Sequence, residues 1–107
     1  MEQDRFRRLW SRVGGGGESA QVFEALSRHY SDAFRRYHDG GHITVCLDAY
    51  DEAVLVLGAD DAVEMALWFH DAIFVAGARD NEVRSAEWFD SKASGYLPAT
   101  FISDVGE

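Results

Sequence analysis

The chain has 107 residues, 47% hydrophobic and 13% aromatic, with a formal net charge of −9. That length suits one domain with a modest core, and the composition excludes a disordered chain. The acidic balance argues against broad nucleic-acid binding, which needs a basic surface to displace phosphate counterions, and no run approaches the ~20 apolar residues of a membrane span.

Met1-Glu2-Gln3-Asp4-Arg5 carries acid and no apolar core, unlike a secretory signal. The single cysteine, Cys46, cannot form an internal disulfide. A reducing, cytoplasmic setting follows, with Cys46 as a small apolar residue.

Residues 2–12 read as a first amphipathic helix through Phe6, Leu9 and Trp10, with Val13 at its end. Gly14-Gly15-Gly16-Gly17 ends it. No strand precedes these glycines and no Lys-Ser or Lys-Thr follows, so they do not match a phosphate loop. A second helix starts near Ser19, carries Val22, Phe23, Leu26, Tyr30 and Phe34 at helical spacing, and frays near Asp39-Gly40-Gly41. A third runs from about His42 to Leu57 with an apolar stripe of Ile43, Cys46, Leu47, Tyr50, Val54 and Leu57, and Gly58 stops it.

Asp60 or Asp61 caps a fourth helix over about 61–74, apolar nearly all round and therefore central in the fold. Asp80 or Asn81 caps a fifth, which runs to about Phe89 or Lys92. Pro98 opens a sixth over Ala99–Val105. No two-residue alternation is sustained anywhere, so the chain reads as all-α in a single domain, 1–107.

The chemistry concentrates at His70-Asp71, inside Leu67-Trp68-Phe69-His70-Asp71-Ala72-Ile73-Phe74. Burying a lone carboxylate there costs several kcal/mol or neutralises it. A divalent cation relieves that cost, because imidazole and carboxylate both ligate one. His42 opens the third helix and His70-Asp71 closes the fourth. An antiparallel packing of the two across Gly58-Ala59-Asp60 brings all three side chains to one ion. His70 and Asp71 lie about 100° apart on a helix and still converge. A structural cap or ion pair is the plain alternative for Asp71.

His38, four residues before His42, admits several roles: metal ligand, phosphate contact, proton shuttle or structural hydrogen bond. His29 reads as a surface or interhelical residue. The arginines gather at Arg5, Arg7, Arg8, Arg12 and at Arg28, Arg35, Arg36, and read mainly as solvated helix faces. The sharper reading is that Arg35 or Arg36 holds an anionic substrate group. Asp80-Asn81-Glu82-Val83-Arg84 is a helix cap with acids at the positive N-terminus. Its functional reading has Glu82 or Asp80 ordering a metal-bound water and Arg84 meeting an anion.

Three segments in order, Tyr37-His38-x-x-x-His42-Ile43, Trp68-Phe69-His70-Asp71-Ala72-Ile73-Phe74 and Asp80-Asn81-Glu82-x-Arg84-Ser85-Ala86, resemble the predicted metal-dependent phosphohydrolases of the HD superfamily. The resemblance spans about Arg35 to Ala86. It implies an all-helical fold and a divalent metal held by a histidine, the His-Asp pair and a distant aspartate. By position His42 is the first ligand and His70 and Asp71 the pair, while His38, Glu82 and Arg84 match further family positions. The family's last aspartate lies in a further helical region, and Asp104 sits too early to match it. The expected fold is therefore a truncated HD-like bundle of five to six helices. Asp80, Glu82, water or a second chain would complete the site.

The resulting expectation is hydrolysis of a phosphate ester, on a phosphorylated small molecule or nucleotide. His42, His70 and Asp71 hold Mn, Fe, Zn, Co, Ni or Mg. His38 or Glu82 moves a proton or orients the nucleophile, and Arg35, Arg36 or Arg84 neutralises the phosphate. The rival is a non-catalytic helical module that uses exposed apolar surface to form a homo-oligomer or bind a protein partner.

Overall fold

The computed structural model describes residues 1–32 and 38–106. Arg35 and Arg36, expected to meet substrate, lie outside the described residues, as do Phe34 and Tyr37. Every regular element among the described residues is helical: α1 Gln3–Arg12, α2 Ser19–Tyr30, α3 Gly40–Leu57, α4 Asp61–Phe69, α5 Asn81–Ala93 and α6 Ala99–Gly106. The all-α expectation with five to six helices therefore holds. None of these helices is long and apolar enough to cross a membrane.

The helical stripes predicted from spacing supply the core. Phe6, Leu9 and Trp10 of α1, Val22, Leu26 and Tyr30 of α2, and Met65, Trp68 and Phe69 of α4 are buried together. Phe6 meets the Trp68 ring edge-on at 5.3 Å between centroids. Ile43 and Leu47 join from α3, and Phe89 and Ala93 from α5.

Two arginines expected on solvated faces instead fasten α1 to the hairpin of α3 and α4. Arg5 donates through both terminal nitrogens to Asp51 at 2.8 Å and through Nε to Glu64 at 3.2 Å. Arg12 bonds Asp61 at 2.9 Å. The Asp51 hydrogen bonds, followed by Glu64, hold the Arg5 guanidinium above its usual range against the opposing effect of burial. Glu64 is buried, and Trp68 Nε1 also donates to it at 3.4 Å.

Several boundaries differ from the spacing. α2 stops at Tyr30, where Ser31 donates its hydroxyl to the Ser27 carbonyl at 2.7 Å. α3 starts two residues before His42, because the Asp39 side chain accepts the His42 N–H at 3.1 Å and caps the helix. His38 thus precedes the helix and does not share its face.

Gly58, at φ +84°, turns the chain back toward α4. Tyr50 donates its hydroxyl to the Asp60 carbonyl at 3.1 Å and accepts the Asp60 N–H at 2.8 Å. α3 has 18 residues and α4 has 9, or about 27 and about 13 Å at the usual rise. The far end of α3 therefore overhangs its partner. Leu57, expected in the buried stripe, is 82% exposed, beside Leu55 at 87% and Val56 at 84%.

A candidate metal centre

α4 ends at Phe69, five residues short of the expected 74, so His70 and Asp71 sit in the turn beyond it. Side chains redirect the backbone there. His70 Nδ1 lies 2.7 Å from the Leu67 carbonyl. A carbonyl can only accept, so Nδ1 carries the proton. Asp71 N–H donates to the Tyr30 hydroxyl at 3.3 Å, and that hydroxyl donates to the Trp68 carbonyl at 2.8 Å. Ala72 N–H closes a tight turn on the Phe69 carbonyl at 3.0 Å.

The following loop is pinned by α5. Ser85 accepts from Ile73 N–H at 3.0 Å and donates to its carbonyl at 3.1 Å. Asn81 accepts from Val75 N–H and donates to the Val75 carbonyl, both at 3.0 Å. The Asp-Asn-Glu-x-Arg-Ser motif is thus a splint for the loop carrying His70-Asp71, a role that spacing alone does not reveal. The expected carboxylate cap is missing: Asp80 occupies the N-cap position without a side-chain cap bond and pairs with Arg84 at 3.2 Å.

Three imidazoles surround one oxygen of Asp71. Oδ2 lies 2.8 Å from His38 Nδ1, 3.6 Å from His42 Nε2 and 3.4 Å from His70 Nε2. The Asp71 side chain is only 15% exposed, whereas the histidines are 38, 36 and 34% exposed. The centre is thus half-open to solvent around a sheltered carboxylate. The hairpin of α3 and α4 brings together His42, His70 and Asp71 as the antiparallel reading expected.

Each imidazole is oriented. His42 sits in the first turn of α3 behind the Asp39 cap. His38 stacks on Phe74 at 4.1 Å between centroids and directs its Nδ1 at Asp71, so it donates there. With the His70 proton on Nδ1, Nε2 presents a lone pair to an Asp71 oxygen that is also an acceptor. Two acceptors at 3.4 Å need positive charge between them, which a proton or a metal cation supplies.

Cys46, assigned only packing by its composition, is the residue the sequence reading missed. Its Sγ lies 3.6 Å from His42 Nε2. Burial first, then the Asp71 charge, push its thiol up from the ordinary value. Its position four residues after His42, one helical turn on, was the signal available. Among the described residues two overlapping triads result, His38/His42/Asp71 and His42/Cys46/His70, with the ligand atoms of each within 4.8 Å of one another.

Glu82 lines a cavity of about 240 Å³ together with His70, Asp71, Ser85, Phe89 and Asp90. It is beside the centre without joining either triad. Arg84 is absent from that lining. A larger cavity of about 580 Å³, walled by Arg28, His29, Phe74, Trp88 and Lys92, lies behind Phe74 and does not reach Asp71. His29 is interhelical: its Nδ1 donates to the Ala72 carbonyl at 2.9 Å and its ring lies 4.5 Å from that of Trp88.

Comparison with protein-family models, with curated proteins and with solved structures found no match to this chain.

Proposed function

We propose that this chain is a metal-dependent phosphohydrolase of the HD type, acting on the phosphate ester of a small molecule or nucleotide. The observation that supports it is the convergence of His38, His42 and His70 on one sheltered oxygen of Asp71. Imidazole nitrogen and carboxylate oxygen are a donor set for Mn, Fe, Zn, Co, Ni or Mg. The residues fit such an ion because His70 Nε2 and Asp71 Oδ2 face each other as acceptors.

A divalent cation bound there would supply a hydroxide nucleophile near neutral pH and neutralise phosphoryl charge. His42, His70 and Asp71 would hold it, and His38 fixes Asp71 by its hydrogen bond. Glu82, which lines the same cavity as His70 and Asp71, would take the proton of the attacking water. Arg35, Arg36 or Arg84 would neutralise the phosphate.

The test is metal content of protein purified without chelator, by elemental mass spectrometry, followed by a panel of phosphate esters. Near-stoichiometric metal that is lost in His70→Ala, with turnover on the panel, supports the reading. No metal after loading with Mn, Fe or Zn sinks it.

One observation favours a second reading, a non-catalytic module that self-associates. Leu55, Val56 and Leu57 expose a contiguous apolar end of α3. A dimer by sedimentation velocity that dissociates in Leu55→Glu, with no turnover on any phosphate ester, would favour it.

A further inference from the structure

The centre has more donors than the expected three, and their spacing separates ligands from outer partners. A tetrahedral zinc-like ion with nitrogen and oxygen ligands near 2.05 Å sets neighbouring donors about 3.4 Å apart; a sulfur at 2.3 Å stands about 3.6 Å from a nitrogen. His70 Nε2 to Asp71 Oδ2 is 3.4 Å, His42 Nε2 to Asp71 Oδ2 is 3.6 Å and His42 Nε2 to Cys46 Sγ is 3.6 Å. His38 Nδ1 to Asp71 Oδ2, at 2.8 Å, is a direct hydrogen bond and too short for two ligands of one such ion. His38 is therefore the outer partner that orients the carboxylate.

Cys46 does not stand alone. Its sulfur shares the His42/Cys46/His70 triad, and one turn of α3 fixes its place relative to His42. Neither of the other residues that sequence offered as a fourth donor, Asp80 and Glu82, joins a triad among the described residues. Asp80 pairs with Arg84 at 3.2 Å.

We propose that Cys46 is a metal ligand, joining His42 and His70 at a centre that Asp71 borders, for a borderline-soft divalent ion such as Zn(II), Co(II) or Fe(II). This rests on the metal reading of the site. The thiol would give its proton to solvent on binding such an ion, so binding would release one proton at this residue. A thiolate donor selects against Mg, which takes oxygen ligands.

The test uses the full chain, stripped with chelator and titrated with Co(II). The chain holds one cysteine, so a near-ultraviolet thiolate-to-cobalt charge-transfer band can come only from Cys46. The wild type should show that band together with visible d–d bands. In Cys46→Ser the charge-transfer band should vanish, and Co(II) should bind more than about tenfold more weakly, since even an outer partner costs that much. A second measurement needs no variant: Zn(II) should slow alkylation of the wild-type thiol by iodoacetamide more than about tenfold, because only the unbound thiolate reacts. Co(II) bound with d–d bands alone, or alkylation unaffected by bound Zn(II), would overturn the thiolate ligand and leave the metal reading standing. No binding of Co(II) or Zn(II) would overturn both.

Discussion

His70 donates its Nδ1–H to the Leu67 carbonyl at 2.7 Å, and this bond both ends α4 and presents Nε2 to Asp71. Helix termination and ligand orientation are one event in this chain. The carbonyl that an amide one turn on would have taken is given to the imidazole instead, so the chain can leave the helix with Asp71 turned toward His38 and His42. Removing Asp71 removes the oxygen common to all three imidazoles. Asp71→Ala should therefore lose bound metal and any phosphate-ester turnover while keeping its helical circular dichroism. Full metal content in that variant would overturn the ligand assignment.

Tyr30 holds the same turn from the other side. Its hydroxyl donates to the buried Trp68 carbonyl and accepts the Asp71 amide. Tyr30→Phe keeps the ring in the core but withdraws both bonds, at a cost of about 1–3 kcal/mol. Because the Asp71 backbone is then less well held, metal affinity should also fall by about 10–100-fold, the range for outer-shell partners. Denaturant unfolding and a metal titration measure the two effects separately. A loss of stability without a loss of affinity would show that Tyr30 supports the fold alone.

How much of this was legible in the sequence follows from what each signal measures. Apolar spacing reports a helix face, and it located α1, α3 and α5 to within a few residues. It cannot report where a side chain takes over a backbone carbonyl, so it overran α4 at His70, and it does not show the stop of α2, where the Ser31 hydroxyl and amide share the Ser27 carbonyl. The His42, His70 and Asp71 convergence was legible because an antiparallel hairpin brings its two ends together whatever the details. Cys46 is legible only in its place one turn after His42, because composition labels a single cysteine by its redox setting and its neighbour across the hairpin, His70, appears only in three dimensions. Arg5 and Arg12 read as solvated because sequence shows one helix face at a time, and their partners Asp51, Asp61 and Glu64 lie on other helices.

That arginine network gives a graded prediction. The Arg5 side chain is 17% exposed and Glu64 only 7%, but Asp51 is 54% exposed. Arg5→Ala leaves Glu64 as a buried carboxylate short of its closest cation, which should cost about 3 kcal/mol. Asp51→Ala removes a partner that water replaces, and should cost no more than about 1 kcal/mol. Equal destabilisation of the two variants in urea would show that burial does not set the worth of these pairs.

The four glycines after α1 are not equivalent. A Cβ on Gly15 would collide with the Trp10 indole, whereas one on Gly17 would meet nothing within 4 Å. Trp10 is fully buried and cannot retreat. Gly15→Ala should thus destabilise by about 1–3 kcal/mol, as other overpacking changes do, and shift Trp fluorescence. Gly17→Ala should stay within about 0.5 kcal/mol of wild type. Indistinguishable melting curves for the two variants would mean that the turn rearranges freely around the indole.

Glu18 closes that turn and makes it sensitive to acid. One carboxylate oxygen accepts the Trp10 indole N–H at 2.8 Å and the Gly16 amide at 2.7 Å. The Trp10 bond first, then the backbone amides, hold the Glu18 carboxyl below its ordinary range. A carboxyl depressed in the folded state contributes stability above its unfolded value, and loses that contribution as pH falls through the folded one. Glu18→Gln retains an oxygen acceptor but cannot ionise. Wild type should therefore be the more stable of the two at neutral pH, with the gap closing as pH drops below the ordinary glutamate range. Thermal unfolding of both proteins across that acid range, followed by Trp fluorescence, reads the gap directly. A gap that stayed constant would assign the effect to side-chain shape and not to the charge on Glu18.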